Sequence, residues 1–330
     1  MRTTSRVWLL AGLACMTLLV AWRGAGTIAS LLVEANWRLL LLAAVALPNL
    51  ILSTASWRLL FPIGRAPNFG RMLHWLWIGT SVNALLPVAS VGGEVVRARL
   101  LALDNRAVSD AVASVVVDKT VMVSTLPLSA LLGAVLLLQR GTGGTTVTGV
   151  LVGAAAMAGA LVLVVQLQRA GAIAFLVRRV VGEGREASRQ LVSSIDEQVR
   201  ALYGRHLHIT AAITIRFAAR LLLAVEIWLA AHWIGYPVGI VEAIVLGCLG
   251  HAVRGAAFAV PAGLGVQEGT FMMTGALVGL PPEVSLSLSL ASRVREIVPS
   301  IPGLVAWQVS EGRALLQGTA SDRTLSGTKQ

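Results

Sequence analysis

Residues 256–270, AAFAVPAGLGVQEGT, lie between two strongly apolar stretches and yet carry Pro261, Gly263, Gly265, Gln267 and Glu268. Proline supplies no N–H and glycine weakens a helix, so a continuous helix does not pass easily through this sequence. What that means depends on the solvent. Of 330 residues, 56% are hydrophobic and 13% charged, against about 25% charged in a soluble domain. The mean hydropathy is +0.77. The chain therefore reads as an all-α polytopic membrane protein. In a bilayer a broken helix is tolerated only against protein or a wet cavity. A carboxylate at that depth is costly, which makes it a functional candidate.

Residues 83–99, NALLPVASVGGEVVRAR, echo the first stretch. Pro87 stands seven positions before Glu94, as Pro261 stands before Glu268, and each interval holds two glycines. A shift of 174 positions carries Pro87 onto Pro261, Glu94 onto Glu268 and Lys119 onto Arg293. Such spacing points to an internal repeat.

Basic residues give the topology. The net charge of +11 is almost wholly arginine, with Lys119 and Lys329 the only lysines. They favour cytoplasmic loops beside anionic lipid. Val7–Trp22 reads as an uncleaved first span and Arg38–Phe61 as the second, with Trp37 and Trp57 as interfacial anchors. Arginines flank 72–103 on both sides, which a single crossing does not allow. A re-entrant hairpin does: in along 72–86, a turn at 87–93, out along 94–103. Val108–Leu138 then crosses, carrying Asp118 and Lys119, and completes an N-terminal half over 1–146.

The C-terminal half, 147–313, begins with a span at 147–167, where Gly149 and Gly153 offer a small-residue face for packing. The segment 169–208 holds seven arginines, and Leu191, Ile195, Val199 and Leu202 recur opposite Arg189, Asp196, Glu197 and Arg200. It reads either as an amphipathic helix on the membrane surface or as a solvated helix packed on its own loops. A span over 209–234 contains Arg216 and Arg220, four apart on one face and near enough its end to snorkel. A second hairpin, 242–280, has both ends outside. A last span, 283–309, leads to a cytoplasmic tail at 314–330. About six full transmembrane helices plus two re-entrant hairpins thus form an inverted-topology repeat, with both termini cytoplasmic. Two such hairpins would meet near the midplane and present freed N–H groups.

The residues at that meeting point are the substrate-binding candidates: Asn83, Pro87, Gly92, Gly93, Glu94 and Arg97 in one half, with Asp118 and Lys119 on the next span. Arg254, Pro261, Gly265, Gln267 and Glu268, with Arg293 and Glu296, stand in the other half. Opposite charges in hydrocarbon seek each other, so Glu94–Lys119 and Glu268–Arg293 are the expected pairs. These pairs either carry function or only brace the hairpins. Asn83 suits freed backbone groups better than substrate, and Arg97 and Arg99 also read as topology signals. Other chemistry finds little footing. There is no G-x-S-x-G, H-E-x-x-H or Walker loop, and of the histidines only His206 and His208, beside a basic run, stand at zinc spacing. Cys15 and Cys248 lie in apolar segments. The chain reads as a non-enzyme without cofactor, metal or nucleic-acid partner, its oligomeric state open.

The text SVNALLPVASVGGEVVRARLL (81–101), ASVVVD (113–118), HAVRGAAFAVPAGLGVQEGTF (251–271) and LSLSLASRVREIVPSIPGLVAWQ (286–308) resembles the flippase-like family that includes the transmembrane region of lysylphosphatidylglycerol synthases. It is most similar to the hopanoid-biosynthesis-associated HpnL-type membrane proteins. The resemblance implies a bacterial inner-membrane protein that handles or flips a lipid, a hopanoid or hopanoid-bearing lipid, beside hopanoid-biosynthesis proteins. It carries over to Pro87, Gly92, Gly93, Glu94, Arg97, Pro261, Gly265, Gln267, Glu268 and Arg293. The aminoacyl-transferase domain of the synthases has no counterpart in this sequence, so transferase activity is not implied. A lipid-modifying enzyme or a subunit recruiting hopanoid enzymes are the alternatives. The topology has a direct check. In a chain freed of its natural cysteines, cysteines placed at Arg65 and Asn105 are expected to react with an impermeant reagent from the same side. Labelling from opposite sides excludes the first hairpin.

Overall fold

The computed structural model describes Ser30, Val33, residues 37–61, 65–86, 91–104, 107–141, 143–171, 186–257, 260 and 264–327, with the side chains of 186–189 and 311–327 left aside. The first span, Pro87, Pro261 and all of 172–185 thus lie outside the described residues. All regular structure within them is helical. In chain order the helices are α1 (Arg38–Arg58), α2 (Phe69–Leu85), α3 (Gly92–Leu103), α4 (Val108–Gln139), α5 (Gly144–Arg169), α6 (Glu186–Gly204), α7 (His206–Trp233), α8 (Ile240–Ala256), α9 (Val266–Leu277) and α10 (Pro282–Gly327). By length and composition α1, α4 and α5 can each cross a membrane.

α3 and α9 have 12 residues each, about 18 Å of helix against a hydrocarbon core of about 30 Å. Each is shorter than that core is thick. Each folds back on the helix before it, α3 on α2 and α9 on α8. Arg71, near the start of α2, pairs with Asp104 at the end of α3, so the open ends of that hairpin lie side by side. The two helices touch backbone to backbone. A Cβ on Gly93 would stand 2.0 Å from the carbonyl oxygen of Gly79 and 2.8 Å from the Asn83 side chain.

Helix bounds repeat along the chain. α3 and α9 start 174 positions apart, as do α4 and α10; α2 and α8 have 17 residues each and start 171 apart. Contacts repeat as well. α1 on α2, α2 on α3, α3 on α4 and α1 on α4 match α7 on α8, α8 on α9, α9 on α10 and α7 on α10. Between halves, α4 packs on α8 as α10 packs on α2, and α1 packs on α7 at the centre. That central seam is pinned by polar side chains on carbonyls: Asn49 Nδ2 donates to Ala219 O at 2.7 Å and Ser56 Oγ to Ala212 O at 2.8 Å. Each half's hairpin therefore leans on the other half's long helix, and neither half is a separate body. The helices α3 and α9 are not among the closely packed pairs; the expected meeting of the tips falls on 87–90 and 258–263, most of which lie outside the described residues.

Three local expectations change. α6 lays Val192, Ile195, Val199 and Tyr203 against the body, with Asp196 buried and Leu191 exposed. Its apolar face is spent on α4 and α5 rather than on a membrane surface. Nothing lies within 4 Å of where side chains on Gly149 and Gly153 would begin, so that small-residue face packs on no described part of the chain. α10 runs on to Gly327 as one helix, past the end assigned to the last span. Gly93→Ala is expected to cost at least the ~1–3 kcal/mol of a forced overpacking, because carbonyl backbone stands in the way. Gly149→Ala should be neutral or slightly stabilising, both read by thermal unfolding in detergent.

Candidate functional site

In the N-terminal half the site grows from the start of α3. A helix start leaves N–H groups unpaired and favours negative charge. Asn83 on α2 serves both needs. Its Oδ1 accepts from Gly93 N at 2.8 Å, and its Nδ2 donates to Glu94 Oε2 at 3.0 Å. Lys119 Nζ from α4 donates to the other oxygen, Oε1, at 2.7 Å. Gly92 opens the helix at its first position.

One turn on, Arg97 is buried rather than facing cytoplasm, which corrects its reading as a topology signal. Its guanidinium lies 4.1 Å from the ring centroid of Trp57, itself buried and so not an interfacial anchor. Arg97 Nη2 donates to Asp118 Oδ2 at 2.7 Å. The second oxygen of Asp118 accepts from Arg216 of α7. Arg216 thus does not snorkel; it is buried and ties the halves together. Arg220, on the same face, reaches Thr125 Oγ1 at 3.3 Å.

The C-terminal half repeats the motif more deeply. Gly265 takes φ 78°, a left-handed conformation that suits glycine, at the N-cap of α9. Glu268, third residue of α9 as Glu94 is of α3, accepts from Gly265 N at 2.8 Å. Arg293 Nε donates to its other oxygen at 2.6 Å. Both pairs expected from the sequence are formed, each across 25 positions. Their exposure differs: 29% and 14% for Lys119 and Glu94, 12% and 0% for Arg293 and Glu268.

Beside this pair runs a chain of charges across α8, α10 and α7. Arg254 grips Glu296 with two hydrogen bonds, one of 2.9 Å from Nη2. Arg295 Nη2 reaches Glu296 at 3.1 Å, and its Nε lies 2.5 Å from Glu226 of α7. Gln267 Nε2 donates to Ser289 O at 3.2 Å. Arg216, Glu226 and Arg295 escaped selection as site residues in the sequence because each finds its partner on a distant helix. Their only signal was charge inside an apolar run.

The sequence profile of the lysylphosphatidylglycerol synthase transmembrane region matches residues 9–303, so the chain belongs to that family and is a membrane protein. No curated protein and no solved structure gives a significant match.

Two arginines on one buried carboxylate make Asp118 the most demanding position. Asp118→Asn is expected to cost about 3–5 kcal/mol, the effect of leaving buried charge uncompensated. Asp104→Asn breaks a pair whose arginine is 60% exposed and should cost no more than about 1 kcal/mol. Unfolding in detergent compares the two.

Proposed function

From a chain of the lysylphosphatidylglycerol synthase transmembrane-region family, we propose a lipid translocase of the bacterial inner membrane. Its two hairpins enter from opposite leaflets and flank a polar slot for a headgroup, while the lipid tails stay in the bilayer. The observation that carries this reading is the doubled ion pair. A glutamate in the first turn of a short, backfolded helix meets a cation on the next long helix, once at Glu94–Lys119 and once at Glu268–Arg293. Stability alone does not call for this, since well-packed apolar residues serve a buried core at least as well. The more open pair, Glu94–Lys119, is the headgroup's point of entry, and the closed pair is its deep counterpart. Because the halves interlock, the moving parts are the hairpins against the frame of α1, α4, α7 and α10.

Resemblance to the HpnL-type proteins supplies the substrate of this proposal, a hopanoid or hopanoid-bearing lipid. A recruiting role for α6 is less well supported, because its apolar face is already covered. The test is transfer of labelled lipid between leaflets of vesicles holding the purified protein. Glu94→Lys and Lys119→Glu should each slow transfer about tenfold or more, the loss of about 1.4 kcal/mol at the barrier. The double variant should recover much of it. Lipid of altered mass would replace this reading with an enzyme. Loss of function on replacing 185–203, with both glutamates dispensable, would replace it with a recruiter.

A further inference from the structure

Between α7, α8, α9 and α10 lies a cavity of about 10 Å³, room for about one water. Its wall includes Glu226, His251, Arg254, Gln267, Arg295 and Glu296. Two of these end in oxygens with no hydrogen-bond partner: Glu226 Oε1 and Gln267 Oε1. Both side chains are nearly sealed, at 1% and 3% exposure. The Gln267 amide cannot simply be turned over. Its nitrogen donates to Ser289 O, and reversal would set two oxygens against each other. An ionised carboxylate only accepts, so Glu226 and Gln267 as they stand offer the cavity two acceptors.

We propose that Glu226 is a proton-binding site. A proton from bulk water forms the Oε1–H bond, and the new hydroxyl donates to Gln267 Oε1 directly or through the single water. Glu226 passes from charge −1 to 0, and nothing else is transferred. Arg295 is not stranded, because its Nη2 already holds Glu296 at 3.1 Å. The charged and titratable groups around Glu226 are Arg220 on its own helix, His251 and Arg254 on α8, and Arg295 and Glu296 on α10. α9 contributes neutral Gln267, and its Glu268 is held by Arg293. α1 and α4 give the cavity wall no charged group. With Glu226 ionised, Arg220, Arg254 and Arg295 face Glu226 and Glu296, a net charge of +1; with it protonated, the net charge rises to +2. Coupling of that step to lipid movement rests on the translocase reading, whereas the proton site itself does not.

Infrared difference spectra of the protein in nanodiscs, recorded across pH in light and heavy water, test the site without any lipid transfer. The expected result is a protonated-carboxyl stretch that appears on acidification, is lost in Glu226→Gln, and shifts in Gln267→Met. Should Glu226→Gln fail to fold, the Gln267→Met shift decides alone. The proposal is overturned if no such band appears while the helices persist, as with a structural water beside a permanently ionised Glu226. It is also overturned if the band survives Glu226→Gln or ignores Gln267→Met. In vesicles, an imposed gradient of one pH unit should speed lipid transfer about tenfold, the matching change in proton activity, but not in Glu226→Gln. A clear band with no lipid transfer under any condition would retire the translocase and leave the proton site standing.

Discussion

A charge in hydrocarbon has to bring its own solvent, and here other charges provide it. Asp118 is the node. One oxygen accepts from Arg97 of α3 and the other from Arg216 of α7, so a single carboxylate fixes a hairpin to its scaffold and one half to the other. Removing it would leave two guanidinium groups without compensation, far worse than never having placed them there. The ladder Arg254–Glu296–Arg295–Glu226 does the same for α8, α10 and α7. These networks make the polar interior possible and also restrict where it can change, since any group that moves must exchange one partner for another.

Much of the frame was legible because the repeat was written in residues that have few uses in lipid. Proline, paired glycines and glutamate at constant spacing located both short helices to within a few positions, and the 174-position shift together with the need of buried charges for partners named both ion pairs. The rest depended on rotation and distance. Arg97 sits on a short helix and Asp196 on an amphipathic one, whose buried faces are set by the neighbours; Trp57, at the end of α1, is covered by the Arg97 guanidinium of α3. Asp118 and Arg216 lie 98 positions apart, and no local pattern connects them.

The 174-residue shift also hid a correspondence. Six residues join α2 to α3 and nine join α8 to α9, so before the tips the matching shift is 171. At that shift Gly79 falls on Gly250 and Asn83 on Arg254. A Cβ at Gly79 would strike Arg97, and one at Gly250 would press on Phe271, 174 positions beyond Arg97. The exchange of Asn83 for Arg254 explains how the halves diverged. Asn83 caps its partner helix and steadies Glu94. Arg254 abandons that duty to bind Glu296, and the backbone of α9 is capped by Glu268 instead.

The crossed packing of α4 on α8 and α10 on α2 bears on ancestry. A gene encoding only one such half would make a protein whose second helix packed on the first but left bare the side that the other half's long helix now covers, unless another copy covered it. Fusion of two copies would then have added a tether to an embrace that already existed. The differences between Asn83 and Arg254 would be the first freedom that tether gave, because two copies of one gene cannot drift apart while two halves of one chain can.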